Sequence, residues 1–592
     1  MAGTSSIQKH TGPNGVTFLT IENPEERDAI LRKLAPGSIM FFDTETTGLR
    51  VRSGEHHCRM IGLQFGDLEK PRTSEVFCAR WDKQMQALFL DLVDLVSRVV
   101  AHGLRFDAHA TGLPLPTKPD PTDKFFDTQM QVYFQDTSAR KSLDDLSPSF
   151  NYPNKIKTPA LIRNGRIDEV PILEAFEYLA DDVKATSTIY YQVVGWGTAD
   201  WVRDVDLPLE GVVQRMEQRG VLIIPDRLRK AQTVATTEAD KLRKQLVLTS
   251  GDINYNSPKQ MADLFLRKGW PTGTTKTGNP STDSEVLGRL ARQGNTFCEG
   301  LLKWRKFTKL NSTFFNPLLE MHKTSPTGFV HPSFNTMGPK TGRFSCSDPN
   351  LQQAANAHGD TSNLAWYVRA SITHENGVSV GDFSQVELRV VAARSLEPAL
   401  LDAFSRGVDV HAATACKMFK VSLGEVSTLM RTRAKAVNFG LLFGMTEFGL
   451  ARELKCSVDE ALVFLHRHQD GLPVLTKWIQ DQRNLYANKG KVSTQSGRTL
   501  RYLEWQNTDP GLSVDVQGTA AEMMRAALVG LEEEKLNPLL QVHDEAVCKG
   551  RGNQKKVAKV MQDCAENAFP HLAELVSFPC DAGDGDHWAE AH

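Results

Sequence analysis

The chain lacks any run of about 18 apolar residues, which excludes a membrane-spanning helix by hydropathy. Its opening, MAGTSSIQKHTGPNG, also lacks the apolar core of a secretory signal. A cytosolic protein is expected. Cysteine is sparse: nine residues, an odd number without one C-x-x-C pair, argue against both a disulfide framework and a zinc site. The thiols are expected to be reduced and mostly structural. Neither an internal repeat nor a low-complexity tract interrupts the sequence. A strong charge of one sign is missing too, since the net charge is −2, so the chain as a whole carries no nucleic-acid signature. What it has is length: 592 residues exceed one hydrophobic core and call for several domains.

Local charge is more informative than the total. Between Asp226 and Lys309 there are 16 Lys or Arg against 8 Asp or Glu, an excess of +8. A neutral chain with one basic segment can grip phosphates there and gather acidic groups elsewhere. The apolar run Ser38 to Asp43, SIMFFD, reads as a buried strand, and apolar runs alternating with helical patterns up to about Trp201 indicate an α/β unit. A break is expected between Gly195 and Asp206. A long helical stretch then runs from Asp206 through Leu248, punctuated at Gly220 and Pro225.

The segment RTRAKAVNFGLLFG places Arg431, Lys435, Phe439 and Phe443 at four-residue steps. At about 100° per residue, a helix carries these two cations and two rings along one slowly turning stripe. Guanidinium and ammonium groups bind phosphate and an aromatic face stacks on a base, so a nucleoside triphosphate suits the stripe. An amphipathic helix with solvated basic ends and two buried rings has the same spacing. The neighbouring blocks decide between the two: TGRFSCSDPNLQQ (Thr341 to Gln353) and DFSQVELR (Asp382 to Arg389) precede the stripe, and QVHDE (Gln541 to Glu545) follows it. Four blocks in this order resemble the family A DNA polymerases, and the resemblance runs from about Ile39 to His592.

The resemblance implies an α/β multidomain protein. A ribonuclease H-like DEDD exonuclease domain (1–200) precedes a right-hand polymerase with thumb (201–330), palm (331–402), fingers (403–500) and a second palm part (501–592). The basic segments Asn254 to Phe265 and Thr277 to Leu287 match the thumb. Asp382 follows the strand-like VSVG, and Asp544 lies in QVHDEAV, which reads as a hairpin. Brought together, the two carboxylates can hold two Mg²⁺ ions, with Mn²⁺ as a substitute, because such hard cations take oxygen ligands. Glu545 is assigned an auxiliary catalytic role, and His543 a place against DNA. Arg431, Lys435 and His411 match triphosphate contacts, Phe439 and Phe443 flank the nascent base pair, and Gln385 belongs to the same nucleotide site. Glu387 stands at the family's sugar gate, so the substrate is expected to be a deoxynucleotide. Arg343 and Gln517 match residues that read minor-groove acceptors shared by all correct pairs.

A second constellation lies near the start. FDTETTG follows the first predicted strand and puts Asp43 and Glu45 on one face. HGLRFD supplies Asp107, and Tyr178 with Asp182 forms Y-x-x-x-D at helical spacing. Together they resemble a 3′-5′ proofreading exonuclease of the DEDD type, in which Asp43, Glu45, Asp107 and Asp182 would hold two metals and Tyr178 would orient the attacking water. Nothing ahead of them is expected to be a 5′ nuclease.

Several positions depart from the family pattern. Phe443 replaces the usual Tyr and loses a hydroxyl that would hold the gate glutamate, Phe439 implies poor use of dideoxynucleotides, Asp509 and Ser513 replace an Arg and an Asn, and Gly103 replaces an Asn. The expected partners are primer-template DNA and deoxynucleotides, with a replisome's helicase or primase beyond them; the protein is expected to be a monomer and to replicate a phage genome. A single-subunit RNA polymerase shares the palm aspartates and the fingers lysine but lacks Glu387 and the proofreading set. A catalytically dead template-binding protein would not need intact carboxylates at both sites.

Overall fold

The computed structural model describes residues 7–21, 26, 38–48, 57–67, 75–275, 278–356, 360–442, 444–501 and 510–591. Its first unit is a seven-stranded sheet in the order Gln8–Thr11, Thr17–Ile21, Glu75–Arg80, Cys58–Gly66, Ile39–Thr46, Arg98–Ala101, Phe125–Asp127. Strand Ile39–Thr46 lies between an antiparallel neighbour, Cys58–Gly66, and a parallel one, Arg98–Ala101. Its alternation feeds two cores. Ile39 and Phe41 pack with Leu179 and Val183 of helix Ile172–Val193, while Met40 and Phe42 pack with Phe89 and Leu92 of helix Lys83–Leu95. Asp43 therefore faces the first helix, and Thr44 faces the other side.

This differs from the sequence reading in two respects. Two strands precede Ile39–Thr46, and that strand runs past its expected end at Asp43, so Glu45 lies inside it as well. Thr44 to Thr46 are polar yet buried, which a hydropathy pattern cannot signal. Gly62, the cross-strand partner of Asp43, explains how helix Ile172–Val193 comes so close: a Cβ there would sit 2.9 Å from Val183 Cγ2 and 3.1 Å from Leu179 Cγ.

The expected break at 195–206 shrinks to residues 197–199. Residues Val194–Trp196 form a 3₁₀ turn and Val202–Asp206 a π-helical turn that runs into helix Leu207–Arg219. A short strand, Val221–Ile223, separates that helix from Pro225–Ser250, because Gly220 turns the chain at φ +62°. Helices Pro225–Ser250, Pro258–Lys268, Ser284–Arg292 and Thr296–Leu310 share a core of Tyr255, Phe265, Leu287, Leu301 and Trp304.

A four-stranded antiparallel sheet follows, in the order Pro538–Val542, Glu545–Lys549, Val378–Phe383, Cys580–Gly585. Gly381 lets helix Gln554–Ala568 settle on one face, since a Cβ there would meet Met561 Sδ at 2.6 Å. Asp382 is thereby directed to the opposite face. Helices Val410–Phe419, Thr428–Leu442, Glu447–Leu454 and Val458–Gly471 gather around Ala415, Val437, Leu450 and Phe464. None of the nine cysteines, all among the described residues, forms a disulfide. No helix among the described residues is long and apolar enough to cross a membrane.

A buried charge network ties the first sheet unit to the rest. Asp206 accepts from Arg498 Nη2 at 2.6 Å and Arg525 Nη1 at 2.8 Å, and all three side chains are 1% exposed. Arg498 also lies 5.2 Å from the ring centre of Tyr133, on helix Thr128–Gln135. Removing Asp206 takes the carboxylate from Arg525, which then has the carbonyls of Thr336 and Gly342, and leaves Arg498 to Glu522 at 3.4 Å, so Asp206→Ala should cost about 3–5 kcal/mol. The expected readout is a lower denaturation midpoint followed by intrinsic tryptophan fluorescence.

Candidate active sites

The first site forms where strand Ile39–Thr46 meets helix Ile172–Val193. Ligand oxygens of Asp43, Glu45 and Asp182 lie within 4.8 Å of one another. Burial pushes the carboxyls of Asp43 and Glu45 well above their ordinary range, and neighbouring carboxylates, Asp107 and Asp182 among them, add to it. Asp182 is pushed up to about 6 by burial against the pull of Lys155. Buried, crowded carboxylates that resist ionising together are the donor set a divalent cation stabilises.

Asp107 stands beside this trio without being part of it. Its Oδ1 accepts from Thr44 Oγ1 at 2.6 Å, and burial raises it to about 7. Gly103 explains how the helix bearing it, Leu104–Thr111, begins: its φ is +86°, a left-handed conformation that Gly and Asn tolerate. The departure at this position therefore preserves the backbone. Asp127 accepts from Gly103 N at 3.1 Å and Leu104 N at 2.8 Å, fixing the start of the helix.

Tyr178, one turn before Asp182, shares a hydrogen bond with Thr158 Oγ1 at 3.0 Å. Burial and then Asp182 raise its pKa, so the hydroxyl keeps its proton. Sequence reasoning missed Lys155. Its Nζ is 2.6 Å from Asp182 Oδ1 and 2.7 Å from Asp144 Oδ1, and it lies 5.0 Å from the ring centre of Tyr178. Burial opposes its charge, but the two acids outweigh burial and hold its pKa above the ordinary value. Nothing in NYPNK marks it, because its partner lies on a helix 27 positions away.

The second site sits at the strand ends of the antiparallel sheet. Asp382 is in register with Glu545 on one neighbour and Asp581 on the other. Asp544 occupies the hairpin turn, where Phe383 N donates to its carbonyl at 3.1 Å. His543 beside it has φ +59° and Gln385 has φ +56°, non-glycine residues in the left-handed region, each costing about 1–3 kcal/mol. Both conformations re-aim the chain next to an acid. Burial, then Asp544 and Glu545, push Asp382 up to about 7, and burial raises Asp544. Asp382 Oδ1 is buried with no hydrogen-bond partner among the described residues, which fits a carboxylate shaped to hold a cation.

Glu545 is held differently. Its Oε2 accepts from Arg369 Nη1 at 2.9 Å, its Oε1 from Trp588 Nε1, and the guanidinium lies 4.1 Å from the Trp588 ring centre. With both oxygens engaged, it contributes charge and support rather than a free ligand atom. Arg369 and Trp588 carry no sequence signal that would have singled them out.

Gln385 caps helix Val386–Ser395, whose first turn presents Glu387 to Arg343 in an ion pair. Arg343, Glu387, Ala520, Ala521, His543 and Asp544 line one recess. Gln517 lies one helical turn before Ala521 on Pro510–Glu533, half-buried, with Ser513 a further turn back. Gly518 lets that helix approach the Arg343 segment, since a Cβ there would sit 3.1 Å from Thr341 O.

The stripe on helix Thr428–Leu442 is explained by the face opposite it: Ala434 and Val437 are buried in the local core, while Arg431 and Lys435 are exposed. Arg431 pairs with Asp409 at 2.6 Å. His411 is buried below, 5.7 Å from Phe439 between ring centres, and Phe439 packs against the main core. Burial lowers the His411 pKa to about 4, so the ring is neutral. Phe443 and Asp509 lie outside the described residues.

The geometry defines a protein with two separate carboxylate centres suited to divalent cations. A family model described as DNA polymerase family A matches residues 225–590, and one described as 3′-5′ exonuclease matches residues 18–193. The chain belongs to DNA polymerase family A. Among curated relatives, DNA polymerase I of Rhizobium leguminosarum is 30% identical over 502 residues, covering 80% of this chain and 49% of the relative. That of Pseudomonas aeruginosa is 29% identical over 618 residues, covering 95% and 65%. The thermostable DNA polymerase I of Thermus aquaticus is 34% identical over 438 residues, covering 71% and 52%. The chain thus spans between about half and two thirds of the length of these relatives. A solved structure, the POL domain of Pol1 from M. smegmatis in complex with DNA primer-template and dNTP, shares the fold with a TM-score of 0.79 at 22% identity, covering 97% of this chain and 99% of that one.

Proposed function

We propose that the protein is a DNA-dependent DNA polymerase that adds deoxynucleotides to a primer 3′ end and removes misplaced ones through its 3′-5′ exonuclease site. The observation that carries the synthetic half is the buried Asp382 Oδ1, unpartnered among the described residues, beside Asp544 at strand ends flanked by Glu387 and Arg343. Divalent cations, Mg²⁺ with Mn²⁺ as a substitute and two per site, supply charge neutralisation and activation of the attacking oxygen when bound. Asp382 and Asp544 would hold them for synthesis, and Asp43, Glu45 and Asp182, with Asp107 behind them, for end removal. Arg431, Lys435 and His411 bind the triphosphate, Phe439 stacks on the nascent pair, and Glu387 fills the space of a ribose 2′ hydroxyl. Arg343 and Gln517 meet the minor groove, and His543 lies against DNA. Tyr178, protonated at neutral pH, orients the water that attacks the terminal phosphodiester.

In this reading residues 201–330 are the thumb, 331–402 and 501–592 the palm, 403–500 the fingers, and 1–200 the exonuclease domain. Primer-template DNA and deoxynucleotides are the partners it needs, with a helicase or primase joining in replication and the polymerase itself a monomer. Primer extension by the purified chain with deoxynucleotides or ribonucleotides tests the reading. Deoxynucleotides should be preferred, whereas equal extension with ribonucleotides would favour an RNA polymerase.

Lys155 competes for the carboxylate that a cation would use. Lys155→Met should therefore tighten Mn²⁺ binding at the exonuclease site by about tenfold, since a unit charge about 4 Å away is worth several kcal/mol before screening. Titration calorimetry measures it; weaker binding would make Lys155 a builder of the site rather than a competitor.

A further inference from the structure

The imidazole of His411 can present either a proton or a lone pair to a ligand, and a chain of buried hydrogen bonds selects between them. Thr414 Oγ1 donates its only proton to Val410 O at 2.9 Å. It can therefore only accept from Asn438, whose amide group lies 3.1 Å away, so the amide nitrogen is on that side. The same Nδ2 lies 3.1 Å from His411 Nδ1, which must accept as well. On the opposite side, Asn438 Oδ1 takes the Nε2 proton of His468 at 2.8 Å. Asn438, His411 and His468 are 4%, 4% and 1% exposed, so water does not compete for these bonds. Both amide protons and the amide oxygen of Asn438 are committed. The carboxamide cannot flip without breaking three bonds at once.

We infer that Asn438 is a positioning residue for nucleotide binding: it holds His411 in the Nε2–H tautomer, so that the ring offers a donor to a triphosphate oxygen. The inference rests on the reading that His411 contacts the triphosphate. Arg431 and Lys435 on the adjacent helix lie near enough to His411 to act on its charge, as does Asp409, which pairs with Arg431 at 2.6 Å. A neutral ring with its lone pair turned to a triphosphate would repel the anion; with Nε2–H turned to it the ring adds a third donor. His468 acts one step further back, by fixing which way the amide of Asn438 points.

The test uses the full chain with ¹⁵N-labelled histidine imidazoles. A two-bond ¹⁵N–¹H spectrum of the wild type, assigned by the signal lost in His411→Ala, should show His411 protonated at Nε2; protonation at Nδ1 overturns the inference without any further variant. In steady-state extension, Asn438→Leu should raise the KM for the deoxynucleotide about tenfold, as expected for one hydrogen bond to a charged group. Combined with His411→Ala it should add nothing beyond His411→Ala alone, because both remove the same donor. Additive losses would mean that Asn438 merely supports the helix, and would overturn the inference. If His411→Ala itself leaves KM unchanged, the triphosphate reading fails instead. Asn438→Asp is the second variant: its carboxylate has no proton to give His411 Nδ1, so the His411 proton should move to Nδ1 in the spectrum, and an unmoved proton counts against the inference.

Discussion

Asp544→Ala should abolish primer extension, lowering the rate by more than about 10³-fold, while leaving 3′-end degradation within about twofold. The size follows from how little the site could put in its place. Asp382 is already pushed up to about 7 by burial and by its neighbours, and Glu545 has both oxygens committed to Arg369 and Trp588. Glu387, the other carboxylate lining the recess, is ion-paired to Arg343. Degradation is spared because its carboxylates belong to a different sheet with its own cores. Measurable extension by Asp544→Ala above one part in about 10³ would contradict the assignment.

The mirror-image prediction concerns Asp43→Ala. Asp43, Glu45 and Asp182 converge within 4.8 Å, so deleting one removes a third of the donor set, and end degradation should fall by more than about 10³-fold with extension intact. The same substitution should have an opposite effect on stability. The Asp43 carboxyl is raised in the fold, so the native state binds more protons than the unfolded chain between the ordinary value near 3.8 and the raised one. Stability is therefore lost as pH rises through that window, and the loss persists above it. Without divalent cations, Asp43→Ala should melt above the wild type at pH 8, with the difference closing toward pH 4. Thermal scans at the two pH values measure it; an equal or lower melting temperature at pH 8 would mean the carboxylates are not crowded.

The Asp382 and Asp544 pair was legible only through the family's ordered blocks, whereas part of the exonuclease set depends on short-range periodicity. Asp43 and Glu45 share a face through the two-residue repeat of a strand, and Tyr178 and Asp182 through one helical turn. The stripe of Arg431, Lys435 and Phe439 was legible in the same way. What could not be read depends on contacts between distant segments. Lys155 reaches Asp182 from a loop, Trp588 reaches Glu545 from the far end of the chain, and Asn438 is defined by His411 and His468 on two other helices. The strand holding Asp43 was cut short because Thr44 and Thr46 are polar, although Thr44 is buried to hold Asp107. The break expected between Gly195 and Asp206 was overextended, because helical turns of other pitches carry the chain nearly through it.

The most direct test places one preparation of the wild-type protein on a single labelled primer-template with Mg²⁺, with and without deoxynucleotides. The account predicts that the primer lengthens to the template end when deoxynucleotides are present, shortens from its 3′ end when they are absent, and does neither once the cation is chelated. A primer that stays unchanged in both Mg²⁺ reactions would contradict it.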